Sequence, residues 1–480
     1  MATLYNSGSG NIGGTFDSIL KEFYIGPVQE QLNNEVFALE MFEKAVVDWN
    51  GKHCIIPVHT ARNSGVEYLG DGDSLSGAGS QTYESLTVKA KFLYGQFAVT
   101  GPAISAAKKG SSNSFISYVD AEMTSLVNDV RDAANKSAVS GGRVKGFICT
   151  REVTLAGHGS GNAIGTLGAG GNVQADVTLT YDGDFSTFSG CANGDHTTWI
   201  EVDLINCATG LSIKNDAAND VFFITDGSGA GFGEVAGALQ IGVGKATSGY
   251  TQADIVLGTA VDAPHAIAVV LKDTLTVAGT GKVLGTTAGA GTSTSSDEVT
   301  GIYGNLADPS HFGVTRTNAS NTALMSTVQT STTDDTVGRV GLTVKRMQQM
   351  FDECLANSGD EPDAILMHPL QRSIYVGLLG TNLRANVGDT LKGSAGFTGL
   401  EFNGIPIHTS RHVSNGMVIF LSKASWKLCE LEPGGFADLD GNVLSRSADK
   451  DQYNGYYRWY WNLVCTKPGA NAILCGSELS

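Results

Sequence analysis

NSFISYVDAEMTSLVNDVRDAANKSAVSGG, residues 113–142, is the stretch on which the reading of the chain turns. Apolar side chains recur at Phe115, Val119, Met123, Leu126, Val130, Ala133 and Val139, a spacing that keeps one face of a helix apolar. Asn113 or Ser114 can cap its start. Asp120 and Glu122 lie early, where the helix dipole favours anions, and Gly141 and Gly142 suit its end. At 1.5 Å per residue, about 27 residues make a rod of about 40 Å. Only one face is apolar, so the rod must lie against a sheet or another subunit.

Immediately upstream, residues 51–100 read as a long hairpin. One arm is Gly51 to Thr60. The return arm alternates, with Leu86, Val88, Ala90 and Phe92 on one side and Thr87, Lys89 and Lys91 on the other, as a half-buried strand does. After Leu93 the apolar phase slips to Phe97 and Val99, which predicts a bulge or a change of neighbours. Between the arms lie about 20 residues rich in Gly, Ser and Asp, a length that a compact domain seldom carries without use. A ribbon reaching away from its own core is barely stable unless it lies on something else.

Further upstream, residues 15–50 show two helical patterns broken at Gly26 and Pro27: Phe16, Ile19, Leu20 and Phe23, then Val36, Leu39, Phe42 and Val46. Residues 1–14 read as a flexible arm without the charged and apolar regions of a signal peptide. Gly8, Gly10 and Gly13 fit a dinucleotide-loop spacing, but no strand precedes them, so the match has no structural context.

Downstream, residues 143–300 lack a helical period and carry strand-like runs such as DVTLTYD, TTWIEVDLI, DVFFITD, ADIVLG and HAIAVVLKD between glycine-rich turns. Regular short strands of this kind predict a sandwich or barrel. Within 155–300, 15 acidic residues against 4 lysines and no arginine give -11, about two-thirds of the formal charge of -17. LGAGGN (167–172) and VAGTGKVLG (277–285) lack the full phosphate-loop spacing, and Asp182 with Asp184 lacks the further oxygens a calcium ion needs. All three are read as loop turns.

From Val340 the pattern returns to α/β alternation. A helix places Leu342, Met347, Met350, Phe351, Cys354 and Leu355 inward and ends at Gly359. DAILMHP (363–369) is a buried strand stopped by proline, LQRSIYVGLLG a second helix, and 399–410 and 415–431 supply further strands. The aromatic run Tyr456, Tyr457, Trp459, Tyr460 and Trp461 could stack single-stranded bases, but Arg458 is its lone cation; a strand packed on both faces is the preferred reading.

The 480 residues suffice for two to four domains, and the acidic balance argues against a protein whose main task is gripping nucleic acid. No apolar run reaches the roughly 20 residues of a membrane span. Eight cysteines without a CxxC pair read as buried free thiols. Nine histidines stand apart; His408 and His412 lie four apart, but in a loop and without HExxH. No GxSxG elbow occurs, and no residue is nominated as catalytic, metal-ligating or cofactor-binding.

A broken N-terminal helix, a long hairpin ending in FAVTGPAI (97–104), a long helix ending near SGG, and the later DAILMHP follow one order. This order resembles the major capsid proteins of tailed double-stranded DNA bacteriophages, the HK97-like fold, over residues 15–150 and 300–475. The resemblance implies an α+β chain with an N-terminal arm and broken helix (1–50), an extended E-loop hairpin (51–100) and a peripheral domain with the spine helix (101–150). An inserted β-rich domain (151–300), an axial α/β domain (301–445) and a return strand to the peripheral domain (446–480) follow. It places the apolar stripe of the helix against the strand around Trp459 and Trp461. The insertion departs from the family's usual length, and its acidic, glycine-rich strands read as a module on the outer surface, so removal of about 156–296 with a short linker is expected to leave assembly possible.

Functionally it implies self-assembly into hexamers and pentamers of an icosahedral shell, with portal and scaffold proteins as partners. Contact with packaged DNA would be weak and without sequence specificity. No membrane and no cofactor would be involved, and the protein would reside in the virion after assembly in the host cytoplasm. Two further readings are an encapsulin-like nanocompartment shell and a β-rich surface adhesin.

Overall fold

The computed structural model describes residues 51–74, 77–102, 112–148, 200–212, 266–271, 298–330, 342–382, 400–414, 416–437, 444–446 and 450–475. Also described are 155–156, 166–167, 220–225, 240–245, 274–277 and 291–294, together with Leu39, Met41, Phe42 and Trp49. The expected arm, nearly all of the broken helix, and most of residues 151–300 lie outside the described residues, as do the phosphate-loop and calcium candidates apart from isolated positions.

The fold is mixed α+β with strands dominating. β1 (His53–Ala61), β2 (Thr82–Lys89) and β3 (Lys91–Thr100) precede the long helix α1 (Ser112–Ser140) and β4 (Val144–Ile148). β5 (Ile200–Asn206), β6 (Asp220–Thr225), β7 (Gln240–Lys245) and β8 (Ile267–Leu271) come next, then α2 (Ile302–Ala307) and β9 (Thr327–Thr330). The last third holds α3 (Val344–Ser358), β10 (Ala364–Met367), α4 (Pro369–Asn382), β11 (Glu401–Phe402) and β12 (Ile405–Thr409). β13 (Val418–Leu421), β14 (Trp426–Phe436), β15 (Leu444–Arg446), β16 (Gln452–Cys465) and β17 (Ala472–Cys475) complete it.

The hairpin arms pair as the sequence predicts, β1 antiparallel to β2, but the phase slip falls earlier than expected. Leu86 and Val88 are buried on β2; Ala90 ends the alternation, and Phe92 is exposed while Gly95, Phe97 and Val99 are buried on β3. The slip marks a change of partner. β2 pairs with β1, whereas β3 leaves the ribbon and pairs with β16 from Thr100↔Gln452 to Lys91↔Trp461. Buried parity switches because the two strands bury opposite faces.

β16 is the centre of this sheet, flanked by β3 on one side and by β14 and then β15 on the other. Its odd-numbered aromatics, Tyr457, Trp459 and Trp461, are buried in the main core with Val130, Ala134, Ala138 and Val139 of α1. The helix stripe therefore faces this sheet. Its details differ from the expectation: Ala134 is buried and Ala133 is not, and the helix rests on β3 first, at Gly95. A Cβ at Gly95 would sit 2.8 Å from Val130 Cγ2 and 3.0 Å from Leu126 Cδ1, so glycine sets the closeness of helix to sheet. The side chains of Phe115 and Val119 lie outside the described residues. β16 itself is packed on both faces only from Trp461 to Cys465; at Tyr456, Arg458 and Tyr460 one face remains open.

The six-stranded α/β sheet has the order β9-β17-β13-β10-β12-β11. Its central strands are apolar runs, AILM, VIFL and AILC, because they are buried on both faces. Ile365, Met367, Val418, Phe420, Ala472 and Leu474 pack with Met347, Met350 and Cys354 of α3 and Tyr375 of α4. The alternate residues Ala364, Leu366, Ile419, Leu421, Ile473 and Cys475 join the main core. α3 is capped by Thr343, whose Oγ1 accepts from Arg346 N, and by Gly359 at φ +76°; Leu355, expected inward, is exposed. Pro369 opens α4 rather than merely stopping the strand. The expected strand 415–431 is broken by a turn at Lys423–Ser425 into β13 and β14, which belong to different sheets. The C-terminal strand β17 pairs with β9 and β13, so it lies in the α/β sheet and not with the peripheral sheet where residues 446–480 were expected.

The clearest departure concerns the region expected to be a separate insertion. β4, which directly follows α1, pairs with β8, and the sheet continues β8-β5-β6-β7. Phe147, Ile205, Cys207, Ala266, Ala268 and Val270 sit in the same core as α1 and Tyr303. Phe147 and Tyr303 meet edge to face at 5.5 Å. Ala266 N donates to Val328 O and Asn318 N to Thr209 O, which ties this sheet to the α/β part. Residues 200–210 and 266–271 are thus integral to the fold, not an appendage.

Candidate intersubunit surfaces

The root of the ribbon is anchored on its own chain. Cys54, Val58, Leu86 and Val88 share a buried cluster with Val314, Leu324, Cys429 and Val464. Thr87 N donates to Phe312 O at 3.0 Å, and Asn462 Nδ2 to Lys89 O at 2.8 Å. Phe312 and Gly313 form the two-residue turn between short strands at 310–311 and 314–315, with φ of +48° and +92°. Positive φ at both positions is the hairpin-turn geometry, and for a phenylalanine it is strained; packing against the ribbon root holds it there.

Below this turn lies a polar group that the sequence did not reveal. Arg316 is buried and donates to three carbonyls: Asp308 O, Leu324 O and Gly304 O at 2.6, 3.0 and 3.3 Å. Burial lowers its pKa to about 10, opposed by the nearby Asp308 carboxylate, so it stays charged. Asn305 Nδ2 donates to Thr300 O, Gly301 O and Leu463 O, while its Oδ1 accepts from Cys465 N.

His311 is wholly buried, with Nε2 2.9 Å from Cys465 O. Burial, and then the Arg316 charge, push it down to about 3. The unfolded chain takes up this proton near pH 6.5 and the folded chain only near 3, so stability is fully present above about 6.5 and falls towards 3. The expected loss is about 1.4 kcal/mol per pH unit in that window. His311→Gln keeps a donor for Cys465 O. Its urea midpoint is expected to change less between pH 6 and pH 4 than that of the parent chain; equal slopes would show that His311 does not carry the effect.

Beyond the root the ribbon loses its core. Val66 is 83% exposed, Tyr68 is fully exposed, and Leu69 and Tyr83 are also exposed. The tip nonetheless has a defined shape. Gly65 N donates to Asn63 Oδ1 at 2.7 Å, Gly70 N to Asp73 Oδ2 at 2.8 Å, and Asp73 N to Gly70 O at 3.2 Å. The two limbs touch at Gly65 and Gly79, where a Cβ on Gly65 would lie 2.8 Å from Gly79 N. His59 Nε2 lies 2.6 Å from Gln81 Oε1, and its ring lies 5.2 Å from that of Tyr83. This is an ordered projection that shows apolar side chains to solvent.

A second bare surface is the outer face of the sheet around β16. Even-numbered residues of β3 and β16 point away from α1, and Phe92 and Tyr94 are each 58% exposed. Tyr460 meets Phe92 edge to face at 4.9 Å and shares a 2.8 Å hydroxyl contact with Tyr94. Arg458 lies 5.9 Å over the Tyr460 ring and pairs with Glu432 at 2.5 Å. Leu431 and Tyr456 are exposed as well. Monomeric proteins rarely expose such contiguous apolar groups without a partner for them.

No protein-family model matches the chain, and no curated protein matches it. Its fold is similar to those of solved phage capsids. The capsid asymmetric unit of cyanophage A-1(L) is 10% identical, with 96% of this chain and 98% of that chain covered and a TM-score of 0.49. The capsid of Myoviridae phage XM1 is 8% identical over 98% of this chain and all of that one, with a TM-score of 0.42. The SrpI encapsulin of Synechococcus elongatus is 13% identical but matches only 37% of this chain and 56% of its own, with a TM-score of 0.25.

The histidine pair singled out by spacing does not act together. His408 lies in β12 opposite Leu366, whereas Nε2 of His412 reaches Asp132 Oδ1 of α1 at 3.1 Å. Arg411 binds the same carboxylate, so this loop joins the α/β part to the long helix. Among the described residues no three His, Cys, Asp or Glu side chains gather as a metal site, and no helix is long and apolar enough to cross a membrane.

Proposed function

We propose that this chain is the major capsid protein of a tailed double-stranded DNA bacteriophage, assembling with copies of itself into an icosahedral shell. The observation that carries the reading is the pair of bare apolar surfaces on one chain: the ribbon tip at Val66, Tyr68 and Leu69, and the sheet face at Phe92, Tyr94 and Tyr460. A projection with an apolar end and a separate apolar face make a head-to-tail contact, which closes into rings when the rotation between subunits allows. The ribbon then serves as the extended hairpin that lies on a neighbour, α1 as the spine of a peripheral domain, and the α/β sheet as the axial domain at the capsomer centre. The acidic balance of -17 keeps packaged DNA only weakly held. Portal and scaffold proteins are its expected partners, and the virion its expected location.

Purified chain, concentrated with and without scaffold, should form closed particles tens of nanometres across under negative stain. Val66→Asp with Tyr68→Ser should leave the circular dichroism and urea midpoint of the subunit unchanged while particles disappear, because both side chains are exposed in the subunit. Particles forming at parental yield in the double variant would remove the tip from assembly. Shells that carry host protein instead of DNA or scaffold would favour a nanocompartment over a virion.

A further inference from the structure

We propose that Cys54 and Cys429 form a reversible intrachain disulfide that locks the ribbon root to the peripheral sheet. Cys54 lies on β1 and Cys429 on β14, 375 positions apart in sequence, yet both are buried in one small apolar cluster, close enough for each thiol to act on the other. Of the four other buried thiols among the described residues, two are engaged elsewhere: Cys465 Sγ with Ser425 Oγ at 3.7 Å, and Cys475 Sγ with Gln329 O at 3.3 Å. The placement of the pair gives the bond a consequence. Ala90 is the junction at which the ribbon, β1 with β2, hands over to β3 of the sheet. A covalent link from β1 to β14 spans that junction.

Both thiols are raised above the usual cysteine range, chiefly by burial. Thiolate is therefore scarce in the closed subunit, and oxidation has to follow opening of the ribbon root. In the reducing cytoplasm the pair stays as thiols; an oxidising medium reached later closes it. The step needs a two-electron oxidant, a small disulfide or an azo compound such as diamide. Each thiol gives up its proton, one S–S bond forms, and the oxidant takes up two electrons and two protons.

Full-length protein treated with diamide, blocked with N-ethylmaleimide and digested without reduction provides the test. A linked Cys54–Cys429 peptide is expected as the dominant cross-link, formed faster in sub-denaturing urea. The thermal midpoint should rise by about 5 °C and return on adding dithiothreitol. Cys429→Ala should lose the linked peptide and the thermal shift together. Mapping on the parent chain does not depend on how well a variant folds. The proposal is overturned if the dominant linkage is another pair, such as Cys207 with Cys475, or if Cys54 and Cys429 both stay alkylatable after diamide treatment in urea. It is also overturned if the linked form melts at the same temperature as the reduced one. None of these outcomes depends on whether the chain assembles.

Discussion

Val130→Asp is expected to abolish the soluble subunit, and any assembly with it. Val130 is buried on α1 at the point where the helix meets Gly95 of β3, and it belongs to the core shared with Trp459 and Trp461. A carboxylate there would sit in an apolar cluster against Gly95, and burying it unpaired costs on the order of 5 kcal/mol or more. A whole domain has only about 5–15 kcal/mol to lose. The contrast is Asp129→Ser, one residue earlier and exposed, which should purify at parental yield. Val130→Ala should fall between, at about 1–3 kcal/mol of lost urea stability, since it removes two methyl groups without adding charge. If Val130→Asp gives soluble protein with a parental near-ultraviolet spectrum, the helix stripe does not face the sheet.

Two deletions should have opposite effects. Removing residues 156–296 takes away β8, which pairs with β4, and β5, which pairs with β8; together they contribute Ile205, Ala268 and Val270 to the main core. That leaves Phe147 and Tyr303 without cover on one side, and the chain is expected to aggregate on expression. Removing only 213–264, bridged by about six glycine and serine residues, keeps both strands. Ser212 pairs with Ile205, and Ile205 pairs with Ala268 on the other side. Ser212 and Ala268 are therefore about two strand spacings apart, roughly 10 Å, and the second cut lies three residues before Ala268, a gap of about 20 Å at most that such a linker spans. Soluble, cooperatively folding protein is expected from the short deletion and insoluble protein from the long one. Equal behaviour of the two, in either direction, would contradict the core assignment of β5 and β8.

Much of this fold could be read from residue spacing, because the signals are local. The helical stripe from Met123 to Val139, the helix end at Gly359, the apolar runs AILM and VIFL, and the alternation at Leu86 and Val88 each report a neighbour's position within one or two turns of chain. The slip in phase near Leu93 announced a change of partner, although its position was misplaced by three residues. The polar groups at the ribbon root left no such signal. His311, Arg316 and Asn305 are isolated in sequence, and what they satisfy are carbonyls of Cys465, Leu324 and Leu463 or an amide of Cys465. Nothing periodic marks a side chain whose partner is a distant backbone atom. The one available hint was the Phe312-Gly313 dipeptide, a turn whose second residue suits positive φ.

The sheet memberships show the same division. Composition separated residues 155–300 as acidic, glycine-rich and β-forming, and from that a detached module was expected. Composition reports solvent preference and local geometry, and both are true of these strands wherever they are placed. Which strand pairs with which depends on long-range burial: Ala268 and Ile205 fit against Phe147 and Tyr303, and Ile473 fits between β9 and β13. Those pairings join residues from Ile419 with Ile473 to Val328 with Ile473, between 54 and 145 positions apart, and a strand offers its two edges to any chain that buries its faces. The amino-acid order therefore determined the elements, their buried faces and the bare ribbon tip. The assignment of β5 and β8 to the core, of β17 to the α/β sheet, and of Cys54 to Cys429 came only from packing, because apolar burial is non-directional and each choice depends on all the others.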